Sequence, residues 1–333
     1  MEKGFCGLRP QGTEAKIHIR THSGGFPFSH LKCQGCGLVF LSPRPDEKEA
    51  LQFYAQDYYG ENPKKFRSGL EALRLFFAWN RMRRVQKFFP SSGKVLDIGC
   101  GEGTFLQLLQ QEGWECHGTE LTAEIASRAS RFGISVSVGQ IDEKRFSPHS
   151  FDLITLWQVL EHLPEPMKTL TTVTHLLKKG GILAISTPNI DSLQAEVGKS
   201  QWFHLDPPRH LYLYSPRTLE QIMGSFGFRL QKLNHFTLEQ NPYGWLRSFL
   251  NLMGLPENGL YTILKNTPAR RRSTSSRYQQ TKTLLLAAGL LPHCLLLSLN
   301  MGLLKRGDTF EAHFRLETPE VGKADFFPRR KSR

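Results

Sequence analysis

Between residues 91 and 240 the apolar positions fall in short blocks, and the stretches separating them follow a helical period. The blocks at 95–98, 114–120, 134–138, 151–159 and 181–187 predict strands, and the stretches at 104–112, 123–132, 165–178 and 215–226 predict helices. Strands that alternate with helices of this length imply an α/β fold with a mostly parallel sheet covered on both faces. Ligands of such sheets bind beyond the carboxyl ends of the strands, near the switch in strand order.

The flanking regions have other patterns. Residues 1–45 are rich in Gly, Pro, Cys and His and read as a small loop-rich module. Residues 46–90 form a connector with a Tyr-rich stretch and a helix near 66–89. Its apolar set is Leu70, Leu73, Phe76, Phe77, Met82 and Val85, with five basic residues between them. Residues 241–306 hold two apolar stretches, 243–264 and 283–304, around a basic loop, and a strand is expected at 308–316. The segment 319–333 reads as a disordered basic tail. The formal charge of +13 suits an anionic partner, either nucleic acid or a phospholipid surface. Six cysteines with one closely spaced pair argue against a disulfide framework, and the first residues carry no apolar signal-like run, so a cytoplasmic location is expected.

The chemistry concentrates after the first strand of the central section. In Lys94-Val-Leu-Asp-Ile-Gly-Cys-Gly-Glu-Gly103, Asp97 ends the strand and Gly99, Gly101 and Gly103 follow at every second position. Glycines there let the backbone turn tightly and approach a ligand, and the N–H groups of the next helix can receive a carboxylate. Glu120, about twenty residues on, can bind two ribose hydroxyls. A nicotinamide-binding loop wants its third small residue three positions after the second Gly, where Thr104 stands. The Gly-x-Gly-x-Gly spacing with a leading Asp suits a ligand without a pyrophosphate.

Further motifs follow in order: Phe151-Asp-Leu-Ile-Thr-Leu-Trp-Gln-Val-Leu-Glu-His-Leu163, Leu177-Lys-Lys-Gly-Gly-Ile-Leu-Ala-Ile-Ser-Thr-Pro-Asn189, Trp202 and Asp206-Pro-Pro-Arg-His-Leu211. With the glycine turn they resemble the class I S-adenosylmethionine-dependent methyltransferases, in the branch near the ubiquinone-biosynthesis methyltransferases. The resemblance covers about residues 30–240. It implies a seven-stranded Rossmann-like sheet whose last strand runs antiparallel, with 228–236 and 309–316 as closing strands. It also implies roles. Asp97, Gly99 and Gly101 would hold the methionine end of the donor and Glu120 the ribose, with Gly103 a further cofactor-binding residue. Leu121, Gln140 and Ile141 would lie by the adenine, with Gln140 standing where the family usually has Asp. Trp157 would line the pocket near the transferred methyl.

For the acceptor, His162 is the first candidate base and His210 the second, and Arg209 would bind an acidic substrate or pair with a nearby carboxylate. Some relatives have an acidic residue where Gln158 stands and pair it with Glu161 for a metal. Gln158 argues against that here, and Glu161 is expected to orient the loop. Cys33-Gln-Gly-Cys36 has the form of a zinc-ribbon knuckle. The partner knuckle is degenerate, with Lys3 in its first Cys position, so Cys6, Cys33 and Cys36 are the candidate Zn2+ ligands and His18, His22 or His30 a possible fourth. The stretch 241–306 reads as an interfacial helical hairpin whose basic tip meets anionic headgroups, or as a helical surface buried against its own domain or a partner subunit. The expected function is methylation of a small or lipid-linked acceptor at oxygen, a quinone-like phenol or an envelope glycan. The alternatives are a nucleic-acid methyltransferase, against which there is no Asn-Pro-Pro-Tyr-type motif, and a binding module that kept the fold.

Overall fold

The computed structural model describes residues 1–7, 13–23, 25–46, 49, 68–255, 259–264 and 277–318. The chain opens with strands β1 (Ala15–Ser23), β2 (Phe26–Cys33) and β3 (Val39–Ser42), then helix α1 (Ser68–Gln86). The alternating section follows: β4 (Lys94–Ile98), α2 (Thr104–Gln111), β5 (Glu115–Glu120), α3 (Ala123–Ser130), β6 (Ser135–Val138), β7 (Phe151–Trp157), α4 (Pro166–Leu176) and β8 (Leu177–Pro188). Then come α5 (Leu193–Gly198), β9 (Tyr212–Leu213), α6 (Pro216–Ser225) and β10 (Phe228–Asn234). Helices α7 (Asn241–Leu252), α8 (Gly259–Leu264) and α9 (Arg277–Leu303) precede β11 (Thr309–Leu316).

Seven strands form one sheet in the order β10-β11-β8-β7-β4-β5-β6. The strands from β4 to β8 pair in parallel, and β11 lies antiparallel between β8 and β10. This is the sheet the motif order implies. The hydrophobic pattern explains its burial: β7 and β8 are apolar in near-continuous runs because helices cover both faces. Strand β8 starts at Leu177, earlier than the apolar run suggests. Its first residues pair with the entry to β7, through Phe151 opposite Leu177, so Lys178 and Lys179 extend the strand despite their charge.

Two expectations change. The first is the loop-rich reading of residues 1–45. Strands β1, β2 and β3 occupy much of the segment and form an antiparallel sheet completed by β9. Phe40 faces Tyr212 and Val39 faces Leu213 across that last pair. Cys6, Phe28, Leu38 and Phe40 belong to the same core as Phe151, Leu156, Leu160, Tyr212 and Phe226. The pattern hid these strands because β1, at the edge of the sheet, and β2 beside it both carry charged and His residues.

The second is the apolar face of α1. Ala78, Met82 and Val85 are buried against the sheet, whereas Leu73 and Phe76 remain exposed. The seam toward the sheet is set by where Arg74, Arg81 and Arg84 find partners. The Tyr-rich stretch, the basic loop at 265–276 and the basic tail lie outside the described residues.

Candidate active site

A cavity of about 540 Å³ opens beyond the carboxyl ends of β4, β5 and β7. Its lining includes Gly99, Glu120, Leu121, Gln140, Ile141, Trp157, His162 and His210, so eight of the residues singled out in the sequence meet around one space. Asp97, Gly101 and Gly103 do not line it. They build the turn beneath.

That turn follows from local sterics. Gly99, Gly101 and Gly103 have φ of +72°, +55° and +75°, a region L side chains rarely adopt. A Cβ on Gly99 would stand 2.6 Å from Val159, and one on Gly103 would stand 2.8 Å from the Ala129 side chain. These two glycines are required for packing. A Cβ on Gly101 would meet nothing within 4 Å. Gly101 donates its N–H to Glu120 at 3.1 Å, and the Thr122 N–H reaches the other carboxylate oxygen at 3.3 Å. The end of β5 is thereby tied to the turn after β4, which holds an acidic group at the cavity wall. Asp97 lies deeper, accepting the Thr155 hydroxyl at 2.6 Å. Burial pushes its carboxyl up to about 7, against the Thr155 hydrogen bond and the nearby Arg81 charge.

Helix α1 braces this end. Arg74 donates to the Thr104 hydroxyl at 2.7 Å and pairs with Glu102 at 3.3 Å, and Arg128 pairs with Glu102 from the other side. Arg81 lies over the Trp157 ring, 5.6 Å from its centroid, and Phe105 meets that ring edge-on at 5.5 Å. Arg84 grips Glu311 of β11 with two guanidinium nitrogens, at 2.6–3.1 Å. Burial alone would raise the Glu311 carboxyl, but hydrogen bonds from His313 and Arg84 hold it down at about 2. Sequence reasoning missed these roles of α1. The signal was present: Arg74, Arg81 and Arg84 recur at seven- and three-residue spacing, on one side of a helix.

The other end is built from the turn after β7 and the segment before β9. Glu161 is fully buried and accepts the Thr187 hydroxyl at 3.1 Å through one oxygen. Its other oxygen, Oε1, has no hydrogen-bond partner. Burial pushes this carboxyl up to about 8, and the negative Asp206 adds to the shift while Thr187 opposes it. His162 shares a hydrogen bond between Nδ1 and the Arg209 carbonyl at 3.0 Å, and His210 does the same with the His204 carbonyl at 2.7 Å. A carbonyl only accepts, so both Nδ1 atoms carry the proton and both Nε2 atoms are left as acceptors. The two rings meet edge-on at 4.6 Å, and burial drives each imidazole down to about 3. One donor atom from each of Glu161, His162 and His210 lies within 4.8 Å of the others.

Arg209 is paired with Asp206 at 2.6 Å, the second of its two expected roles. Gln158 donates its amide to the Ser186 hydroxyl at 2.8 Å, so this wall has an amide where some relatives carry an acid. Two further polar atoms on the cavity wall are buried without a partner, the Thr122 hydroxyl and the Trp157 indole nitrogen.

The cysteine knuckle stands apart from the cavity. The Gly37 N–H closes its turn onto the Cys33 carbonyl at 2.9 Å, with Gly37 at φ +81°. Cys6, Cys33 and Cys36 are buried with their sulfurs within 4.8 Å of one another, and the Cys6 and Cys36 sulfurs are 3.3 Å apart. His18, His22 and His30 do not join that group.

Comparison with known proteins agrees with the architecture. Residues 71–233 match the family described as a methyltransferase domain. A ubiquinone biosynthesis O-methyltransferase of Thiobacillus denitrificans is 30% identical over 173 residues, which cover 47% of this chain and 74% of that protein. The chain belongs to the S-adenosylmethionine-dependent methyltransferases. The ubiquinone biosynthesis O-methyltransferase of Methylococcus capsulatus is 31% identical over 117 residues, 33% of this chain and 49% of that one. The chain spans about half the length of several curated methyltransferases it matches. Among solved structures, a SAM dependent methyltransferase from Archaeoglobus fulgidus aligns over 72% of this chain and 94% of its own, at 22% identity and a TM-score of 0.45. The family match begins inside α1, the helix that braces the glycine turn.

Proposed function

We propose that this protein methylates an oxygen of a small or lipid-linked acceptor, with a quinone-like phenol as the first class to test and S-adenosylmethionine as donor. The observation that carries the reading is the buried Glu161 carboxyl, with one oxygen unpartnered on the wall of the cavity that also holds Glu120. The residues fit the donor. Glu120 would bind the ribose, Leu121 and Ile141 would flank the adenine beside Gln140, and the backbone at Gly99 would meet the methionine end. The unpartnered Thr122 hydroxyl and Trp157 nitrogen are polar groups that a ligand in this space can satisfy. When bound, the donor supplies a methyl group already activated by a positive sulfur.

The protein's task is then to orient the acceptor and take its proton. Glu161 suits proton acceptance, since a carboxyl raised to about 8 is a much stronger base than an ordinary one. The histidines, each driven down to about 3, are neutral at working pH and act through Nε2 as hydrogen-bond acceptors that position the acceptor hydroxyl. This exchanges the roles expected from the sequence, where His162 was the base and Glu161 the orienting group. We also propose that the three knuckle thiols hold a structural zinc ion. Their burial and mutual spacing support it, and metal analysis of the purified chain tests it.

The decisive experiment adds labelled donor to an extract and separates lipid, glycan, small-molecule and nucleic-acid fractions. Label in a lipid or small-molecule phenol supports the reading, and label confined to nucleic acid overturns it. Calorimetric titration with the donor, run in parallel, separates loss of donor binding from a wrong acceptor class.

A further inference from the structure

Helix α9 carries more leucine than its contacts with the rest of the protein cover. One 26-residue stretch, Tyr278–Leu303, is long and apolar enough to cross a membrane, yet only 17% of its most apolar window is buried. The residues it does bury are small or polar: Thr283, Ala287, Cys294 and Ser298. They form a seam against Trp245, Leu246 and Leu250 of α7 and Leu260 of α8. The two hydroxyls on that seam turn back onto their own helix, Thr283 to the Gln279 carbonyl and Ser298 to the Cys294 carbonyl. Leu286, Leu290, Leu297 and Met301 pack half-buried on the same side, and a second set of leucines points the other way. Leu285, Leu296, Leu299 and Leu303 are 69%, 60%, 44% and 82% exposed, and at about 100° per residue they fall on the face opposite the seam. A soluble helix places its leucines inward and its polar residues outward. Small residues at the helix contact with leucines outside is the arrangement of helices that face lipid.

Charge selects the occupant. From residue 258 to residue 307 there is no Asp or Glu and there are eight Lys and Arg residues. Among the described residues, Lys282 lies near the start of α9, and Lys305 and Arg306 follow its end, all three exposed. A second copy of this chain would bring a like-charged surface against this one, whereas anionic headgroups would match it. Packing along α7 and α8 fixes how the helix sits. Its seam is held at positions spread from Thr283 to Ser298, and Asp308 and β11 follow directly, so it lies on the body of the protein. Gln240, the residue just before α7, lines the cavity, so this surface lies next to the site in the chain.

We propose that α9 is a membrane-docking surface, its leucine strip entering the headgroup–acyl boundary of an anionic bilayer with the helix in the plane of the surface. The surface would serve a lipid-linked acceptor, but it does not depend on the acceptor's identity. The test is co-sedimentation of the full chain with vesicles of phosphatidylcholine alone or mixed with phosphatidylglycerol. Binding to the mixed vesicles at low salt, weakened at high salt, is expected. The double variant Leu285→Ser, Leu296→Ser should lower the partition by about ten-fold per leucine, since each loses the burial of an apolar side chain. Its circular dichroism and donor titration should not change. If that variant loses its fold, Lys282→Glu with Lys305→Glu replaces it and should abolish the preference for anionic vesicles. The proposal is overturned by no binding to mixed vesicles at low salt. It is also overturned by binding that the folded variants leave unchanged, or by a dimer in light scattering that the leucine variant dissolves. Failure here leaves the methyl-transfer reading standing, because donor binding is read separately.

Discussion

The two ends of the cavity are built by different means. At the Glu120 end, neighbouring backbone groups do the work: the Gly101 and Thr122 N–H groups orient Glu120, and three glycines shape one turn. At the Glu161 end, groups far apart in the chain converge: Glu161 meets Thr187, and His162 meets the segment 204–210. A local turn tolerates little steric change but keeps its shape wherever it is placed. A convergent cluster owes its chemistry to burial, so the same side chains acquire unusual proton affinities only after folding.

Five experiments would break or sharpen that contrast. The largest effect is expected for Glu161→Gln, which keeps the neutral shape of a protonated carboxyl but cannot take a proton. Turnover should fall by about 10²–10⁴ with donor affinity unchanged in calorimetry. A matching loss of donor affinity would show that the two ends are not separate. Glu120→Ala should do the reverse, weakening the donor by about 100-fold through two charged hydrogen bonds of about 1.5 kcal/mol each. Saturating donor should then restore much of the turnover.

The pH profile comes next. The Glu161 carboxyl in the folded protein titrates near 8, above its unfolded range, so the base form is scarce at pH 7 and grows as pH rises. Turnover should increase by about ten-fold per unit below that value and then level off. The same raised value means that the folded state holds a proton the unfolded chain releases, so stability should decline as pH climbs through this range. A turnover that stays flat between pH 5 and 9 would favour His162 instead, since burial drives its imidazole down to about 3.

The smallest effect is expected for His162→Gln, below about ten-fold, because an imidazole neutral at working pH contributes one hydrogen bond. Addition of a chelator bears on the same cluster. Unchanged turnover would show that Glu161, His162 and His210 handle a proton, and rescue by a divalent cation after its loss would show that they share a metal.

Legibility followed the same division. The parallel order of β4 to β8 and the place of β11 could be expected from the sequence, since apolar blocks and turn glycines are local signals. The glycine turn and Glu120 meet at one end of the cavity for that reason. Glu161 reads as an orienting group because nothing in Gln158-Val-Leu-Glu161-His162 reveals that its carboxylate ends fully buried at the cavity wall. Arg74, Arg81 and Arg84 look like a solvated helix face until Glu102, Trp157 and Glu311 are seen beneath them. The strands near the knuckle escaped because β9, which completes their sheet, lies far along the chain.

By itself, then, the sequence determined what depends on short-range geometry: the period of each element, the left-handed turn at Gly99–Gly103 and the carboxylate at the end of β5. Tertiary structure decided everything that depends on dielectric and on exposure. It pushed the Glu161 carboxyl up and its histidine neighbours' imidazoles down, and it left a strip of α9 leucines exposed. The reason is physical: burial and the identity of a facing group are properties of the packed chain, and no residue carries them alone.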